Sequence, residues 1–197
     1  MSTASAWSVA LNGIEGAMVE VEVAEGCGLP RTVLVGLPDA ALSQAKERVR
    51  AAVTGAELPW PNGLVTINLS PANLPKTGTH YDLAIATAAL AAIDKVPKEA
   101  ARNHVCLGEL GLDGRLRRVP GILPALLAAV RSGFDKAIVP ASQEAEASLV
   151  PGVTVWAIGH LKDLVAVLNG EPPLGGWEPP ADEDVTFRQR PPLDFRE

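Results

Sequence analysis

Apolar and polar side chains first alternate in residues 17–24, where Val19, Val21 and Val23 are interleaved with Glu20, Glu22 and Ala24. A period of two predicts a strand with one buried and one wet face. Residues 7–11 predict a preceding strand, and Asn12-Gly13 with Gly16 close behind supplies the turn of a hairpin. Residues 32–36, Thr-Val-Leu-Val-Gly, lack the alternation and predict a third, more buried strand. The period then changes. Asp39 is placed to cap a helix in which Leu42, Ala45, Val49 and Ala52 recur at three or four residues, ending near Gly55. Lys46, Arg48 and Arg50 fall on its other faces and read as a solvated surface rather than a track for nucleic acid.

Residues 65–69 predict another strand, running into a loop over residues 70–78 whose prolines and glycine exclude a helix. Residues 83–93 are apolar nearly all round, which predicts a centrally buried helix with Asp82 as its N-cap. Asp113-Gly114 predicts a hairpin turn between residues 105–110 and 116–119. A helix from Ile122 stopping at Gly133, a strand at 137–139, a helix at 141–149, a strand at 153–157 and a helix at 160–169 complete the body. Strands and helices interleave throughout, so the expected class is α/β, a mixed sheet with packed helices, over residues 1–170. From Gly170 onward Pro172-Pro173, Gly175-Gly176, Pro179-Pro180 and Pro191-Pro192 break the periodicity, and residues 171–197 read as an acidic Pro/Gly-rich linker.

Composition narrows the functions. The chain has 197 residues, 47% of them hydrophobic, enough for one core, and a net charge of −6. Seven acids and three arginines follow Asn169, so the body is nearly neutral and the acidity belongs to the tail. Without a polybasic arm, binding to nucleic acid driven by net charge is not expected, although a local patch is compatible with it. Cys27 and Cys106 form no CxxC pair and read as buried or inert thiols, with a disulfide left open. No apolar run is long enough to cross a membrane, and residues 1–7 lack the charged and hydrophobic regions of a signal peptide. A cytoplasmic protein without a membrane partner is expected.

Familiar catalytic signatures are missing from the sequence. It contains no Gly-x4-Gly-Lys-Ser/Thr phosphate loop and no Gly-Lys dipeptide, no HExxH, no Gly-x-Ser-x-Gly and no Gly-x-Gly-x-x-Gly. His80, His104 and His160 are isolated and read as loop or helix-start histidines rather than metal or catalytic groups. No metal and no cofactor is expected in this chain.

Three segments carry a resemblance: Val35-Gly-Leu-Pro-Asp39 with its helix, the run from Asn68 to Ala86 (Asn-Leu-Ser-Pro-Ala-Asn-Leu-Pro-Lys-Thr-Gly-Thr-His-Tyr-Asp-Leu-Ala-Ile-Ala), and the run from Gly108 to Gly121. In that order they resemble the N-terminal domain of magnesium-chelatase-like AAA+ ATPases of the ComM/YifB type, from about Trp7 to Gly170. More distantly they resemble the proteolytic domain of Lon, which implies a Lon-protease C-terminal domain-like, ribosomal-protein domain-2-like fold. Lon uses a serine–lysine dyad, in which a lysine activates the serine. By this resemblance His80 stands where the serine belongs, within Pro75-Lys-Thr-Gly-Thr-His-Tyr-Asp82, and Leu123 stands where the lysine belongs. The dyad is thus degenerate at both positions and the chain is expected not to be an enzyme itself; a substitute dyad of Ser70 and Lys76 lacks any alignment to support it, and Ser70 reads as a loop hydroxyl bonded to nearby backbone.

The same resemblance implies a following AAA+ module, to which ATP and magnesium would belong, neighbouring subunits in a hexamer, and branched DNA as a partner in branch migration during natural transformation. The competing reading is a free-standing protein-interaction domain on a degenerate Lon-type fold. Candidate contact residues are Arg115, Arg117 and Arg118, on or beside the Asp113-Gly114 hairpin. In a regular strand Arg115 and Arg117 share a face and Arg118 takes the other. The pair could meet phosphates or an acidic neighbouring subunit, or could be an ordinary solvated edge on which basic side chains discourage strand pairing.

Overall fold

The computed structural model describes residues 1–176. The N-terminal hairpin extends well past the alternating segments. Strands β1 (Ser2–Asn12) and β2 (Glu15–Gly26) pair antiparallel from Ser2 opposite Glu25 to Asn12 opposite Glu15, closed by Gly13 at φ +63°. Around it a seven-stranded sheet forms with β3 (Arg31–Val35), β4 (Leu64–Ser70), β5 (Val105–Cys106), β8 (Lys136–Pro140) and β9 (Thr154–Ile158), in the order β3-β4-β2-β1-β5-β8-β9. The β1–β2 and β2–β4 pairs are antiparallel; β3–β4, β1–β5, β5–β8 and β8–β9 are parallel. The sheet is mixed, as the interleaved periods require. One expectation fails: β3 is an edge strand, half-exposed rather than more buried, because it has a neighbour on one side only. Its lack of alternation reflects an edge, not a core position.

Helices cover both faces of the sheet. On one face lie α2 (Ala45–Gly55) and α3 (Asp82–Ala92), and every residue of α3 is buried. Ala4, Ala6, Val19, Val21 and Val23 of the hairpin face this core. On the other face α5 (Ile122–Arg131) packs with Val9, Trp7, Leu11 and Met18, and Trp7 meets Phe134 at a ring-centroid distance of 5.3 Å. Alternate β1 residues thus serve two cores, whereas β2 buries Val19, Val21 and Val23 on one face and keeps Glu20 half-buried and Glu22 exposed on the other, the one wet face expected. The helix foreseen after Asp39 is two: α1 (Ala40–Ser43) and α2, with a break at Gln44. Asp39 caps the first as expected, its Oδ1 accepting from Leu42 N at 2.7 Å. A short α4 (Lys98–Arg102) has no counterpart in the apolar pattern. The expected helix at 141–149 is a 3-10 turn (Ala141–Gln143) followed by α6 (Glu144–Ala147), and α7 (Leu161–Leu168) closes the body.

A small hairpin of β6 (Glu109–Leu110) and β7 (Leu116–Arg117) lies apart from the main sheet. Its tip rests on the end of α2. A Cβ at Gly55 would lie 2.2 Å from Leu112 O, and one at Gly114, where φ is +88°, 2.7 Å from Ala56 Cβ. Beyond α7, residues 171–176 are fastened to the body by the buried Asp163, whose Oδ1 accepts from Leu174 N at 2.8 Å and Gly175 N at 3.2 Å. The rest of the expected linker, residues 177–197, lies outside the described residues.

Gly55 yields a test of the hairpin seat. In an ordinary helix Gly→Ala is favourable by about 1 kcal/mol. Here the added methyl would press on the Leu112 carbonyl, so Gly55→Ala should lower stability by about 1–3 kcal/mol in urea unfolding. A midpoint at or above that of the unsubstituted chain would mean that the tip does not rest on the helix.

Candidate functional site

The loop between β4 and α3 holds two buried polar side chains, Lys76 and His80, and leads into a third, Asp82. Lys76 is fully buried, and its Nζ donates to Gly36 O at 2.7 Å, to Leu69 O at 3.2 Å and to Pro71 O. Backbone bonds join the same two segments: Asp39 N donates to Lys76 O at 3.0 Å and Lys76 N to Leu37 O at 3.3 Å. Gly36, at φ +109°, permits the approach, since a Cβ there would stand 2.2 Å from Leu69 O. Burial pushes the Lys76 ammonium below its ordinary value. The three carbonyls match in number the three N–H donors of the ammonium, whereas a neutral amine has only two. An ammonium with all three N–H groups donated has no lone pair to offer, so Lys76 is not arranged as a base for Ser70. Ser70 Oγ instead accepts from Asn68 Nδ2 at 3.3 Å, a side-chain partner rather than the backbone one expected.

His80, at the position aligned with the Lon serine, is buried, with Nε2 2.6 Å from Val9 O. A carbonyl partner requires that nitrogen to carry the proton. Burial lowers the imidazole from its ordinary value, opposed by the Val9 carbonyl and by Asp39. Its ring lies 4.1 Å from that of Tyr81. Tyr81 is fully buried, and its hydroxyl has no hydrogen-bond partner among the described residues. Leu123, at the position aligned with the lysine, lies on α5 and packs half-buried against the second core.

Asp82 corrects two readings at once. It is the first residue of α3 and does not cap it. Its carboxylate accepts from Arg48 Nε at 2.6 Å, from Arg48 Nη2 at 2.8 Å and from Leu110 N at 3.1 Å. Arg48 is therefore not part of a solvated face; the start of α3 is enclosed by α2 and β6, and a carboxylate held there needs a cation. Burial raises the Asp82 carboxyl against the pull of these three donors, and the Asp82 hydrogen bond raises Arg48. Nearby, Thr79 Oγ1 donates to Glu109 Oε2 at 2.5 Å.

The three candidate arginines do stand together on the small hairpin. Arg115 Nε is 3.4 Å from Asp113 Oδ2, both side chains partly exposed. Leu116 is buried between Arg115 and Arg117, which leaves that pair facing outward together. Arg118 follows the end of β7 at Arg117 and is exposed too, its Nη1 donating to Ser142 O at 3.1 Å. Two residues the sequence reading did not credit fix this hairpin. Gln143 clasps Val119, accepting from its N at 2.9 Å and donating to its O at 2.7 Å. His160 accepts from Lys162 N through Nδ1 at 3.0 Å, capping α7, and its Nε2 lies 2.9 Å from Asp113 O. A glutamine just before a helix and a histidine capping the last one were the available signals, but their hairpin partners are far away in sequence.

Cys27 is exposed, not buried, and Cys106 is buried with its thiol pushed up to about 12; both are free. Among the described residues no group of three His, Cys, Asp or Glu side chains could hold a metal ion, and no helix is long and apolar enough to cross a membrane.

Two outcomes follow for this loop. Lys76→Met strands three carbonyls and should cost about 3 kcal/mol, whereas Ser70→Ala should stay within about 0.5 kcal/mol; equal costs would overturn the assignment of Lys76 as a structural clamp. Burial lowers both His80 and His104, so their folded pKa values lie below the unfolded ones. Between those values the unfolded chain binds more protons, and stability falls as pH drops from about 7 through the ordinary histidine value of about 6.5. The His80→Gln/His104→Gln variant should flatten that slope, measured as unfolding midpoint against pH, and an unchanged slope would refute it.

Comparison with known proteins places the chain in a family. Residues 19–143 match the family described as subunit ChlI of Mg-chelatase. An uncharacterized protein of Mycobacterium tuberculosis is 48% identical over 182 residues, 92% of this chain and 36% of that protein. Competence protein ComM of Haemophilus influenzae is 39% identical over 175 residues, 88% of this chain and 34% of ComM. DNA repair protein RadA of Aquifex aeolicus is 36% identical over 87 residues, 44% of this chain and 18% of RadA. The chain spans about a third of the length of the first two of these curated relatives. With its mixed sheet, its clamped loop and a match over most of its body, the chain belongs to the ChlI family of Mg-chelatase-like proteins.

Proposed function

We propose that this chain is a non-catalytic accessory domain of a larger Mg-chelatase-like AAA+ ATPase, serving ring assembly, DNA contact or both in a branch-migration helicase of natural transformation. The observation that carries the non-catalytic part is the commitment of the buried polar groups: Lys76 donates all three protons to carbonyls, and the His80 Nε2 proton goes to Val9 O. Groups so engaged hold a loop shut; they do not leave a nucleophile and base facing a substrate. The chain's span, about a third of its relatives, supports a parent protein with further modules, and ATP and magnesium would be bound there. The names of two relatives, a competence protein and a DNA repair protein, support work on DNA.

The rigid hairpin supplies the contact. Its arginines project from a turn fastened on three sides, by Gly55, His160 and Gln143, so little side-chain order is needed beyond the arginines themselves. Phosphate oxygens or an acidic face of the next subunit in a hexamer would each suit two outward guanidinium groups.

The test uses the parent protein and branched DNA. Arg115→Ala/Arg117→Ala should weaken binding and reduce the slope of log affinity against log salt by about 2, with ATP hydrolysis in the absence of DNA unchanged. An unchanged slope with reduced ring assembly would assign the hairpin to subunit contact instead, and no change in either would remove it from function.

A further inference from the structure

A second surface, on the open edge of the sheet, has a chemistry of its own. A groove of about 410 Å³ runs between the start of β3, the C-terminal half of α2 and the loop at residues 58–63. Arg31 and Arg50 line it, with Thr54, Pro59, Trp60 and Asn62. Both arginines are exposed, and among the described residues neither forms an ion pair. No acid lines the groove. Of the acids near in the chain, Glu25 accepts from Asn62 N at 3.1 Å, Glu57 pairs with Lys162 at 3.0 Å, and Glu47, exposed three residues before Arg50 on α2, forms no ion pair with it. Trp60 is half-buried, packed against the core while also lining the groove.

We propose that this groove binds a segment of single-stranded nucleic acid, with a base against Trp60 and phosphates held by Arg31 and Arg50. Two uncompensated guanidinium groups call for an anion, and an indole beside them calls for an aromatic face joined to that anion; a nucleotide unit carries both. The groove is open rather than enclosed, so a strand can pass through it, while a duplex with its bases stacked inside could present only backbone to Trp60. The Thr54 hydroxyl and Asn62 amide can serve sugar or base edges without fixing the sequence. Its position also fits. Thr54 lines the groove and its neighbour Gly55 carries the tip of the arginine hairpin, so the two cationic surfaces flank one end of α2. A DNA branch, where paired and unpaired strands meet, would engage both. This inference rests on the DNA-contact reading and assigns the unpaired strand to the groove.

Fluorescence anisotropy of the 197-residue chain with a labelled dT oligomer of about 12 nucleotides, at low salt, tests it. Trp60→Leu should weaken binding roughly ten-fold, and Trp60→Phe, which keeps a stacking ring, only a few-fold. Arg31→Ala/Arg50→Ala should reduce the salt slope by about 1.4, and Arg31→Lys/Arg50→Lys should restore it. Arg115→Ala/Arg117→Ala should weaken branched DNA, and in that background Trp60→Leu should still weaken dT binding roughly ten-fold. Variants matched to the unsubstituted chain in urea midpoint separate contact from folding. If branched DNA binds through the hairpin but dT binding ignores the groove variants, the groove proposal falls and the DNA reading stands. If the chain binds neither DNA, both fall. If a peptide copying the acidic residues 177–190 binds in a Trp60-dependent way and dT does not, the groove belongs to a protein segment and the proposal is overturned.

Discussion

The burial of α3 on every face is the constraint from which the rest of the molecule follows. A helix of eleven residues with no solvent side must find partners for both its ends inside the protein. Its first residue, Asp82, brings a charge into that space, and only a cation with matching fork geometry makes such burial tolerable. Arg48 supplies it from α2, and the Leu110 amide supplies a further donor from β6. One carboxylate thus ties together the central helix, its neighbour and the small hairpin. The loop leading into α3 must then be held without solvent as well, which is the place Lys76 occupies with its three carbonyls.

That arrangement separates what the sequence discloses from what it conceals. Val19, Val21 and Val23 announce their strand because a period of two is local, and the alanine-rich stretch at 83–93 announces a buried helix because nothing polar interrupts it. Asp39 was legible as a cap for the same reason: its partner, Leu42 N, is three residues away. Asp82 carried an identical local signal and a different fate. Its cation sits 34 residues earlier on a helix whose charged positions look uniformly solvated. Lys76 was hidden by its loop, where a lysine among prolines and glycines looks exposed until the turn folds over it. The half-exposure of β3 depends on which strands flank it, a property of sheet order that one strand's composition does not carry.

The candidate site divides along the same line. The hairpin arginines were visible beside an Asp-Gly turn, but what makes them a fixed pair comes from remote residues, Gln143 and His160. The groove at Arg31, Arg50 and Trp60 had no sequence signal, since its three principal side chains come from a strand, a helix and a loop. Contact surfaces of this kind are assembled by tertiary structure, and a rigid scaffold under them is what gives flexible arginines a defined spacing.

Asp163 gives the chain a mechanical property. Its carboxylate grips the backbone of Leu174 and Gly175 while its other oxygen accepts from Gly159 N at the turn before α7. The backbone at Leu174 and Gly175 is therefore moored to the body rather than left to swivel at the end of α7. A pull or twist applied from that side would reach α7 within a few bonds, and through Lys162 and Glu57 the end of α2. Two attachments share any such load, the Asp163 carboxylate and the bond from Glu171 N to Ala166 O at 2.9 Å.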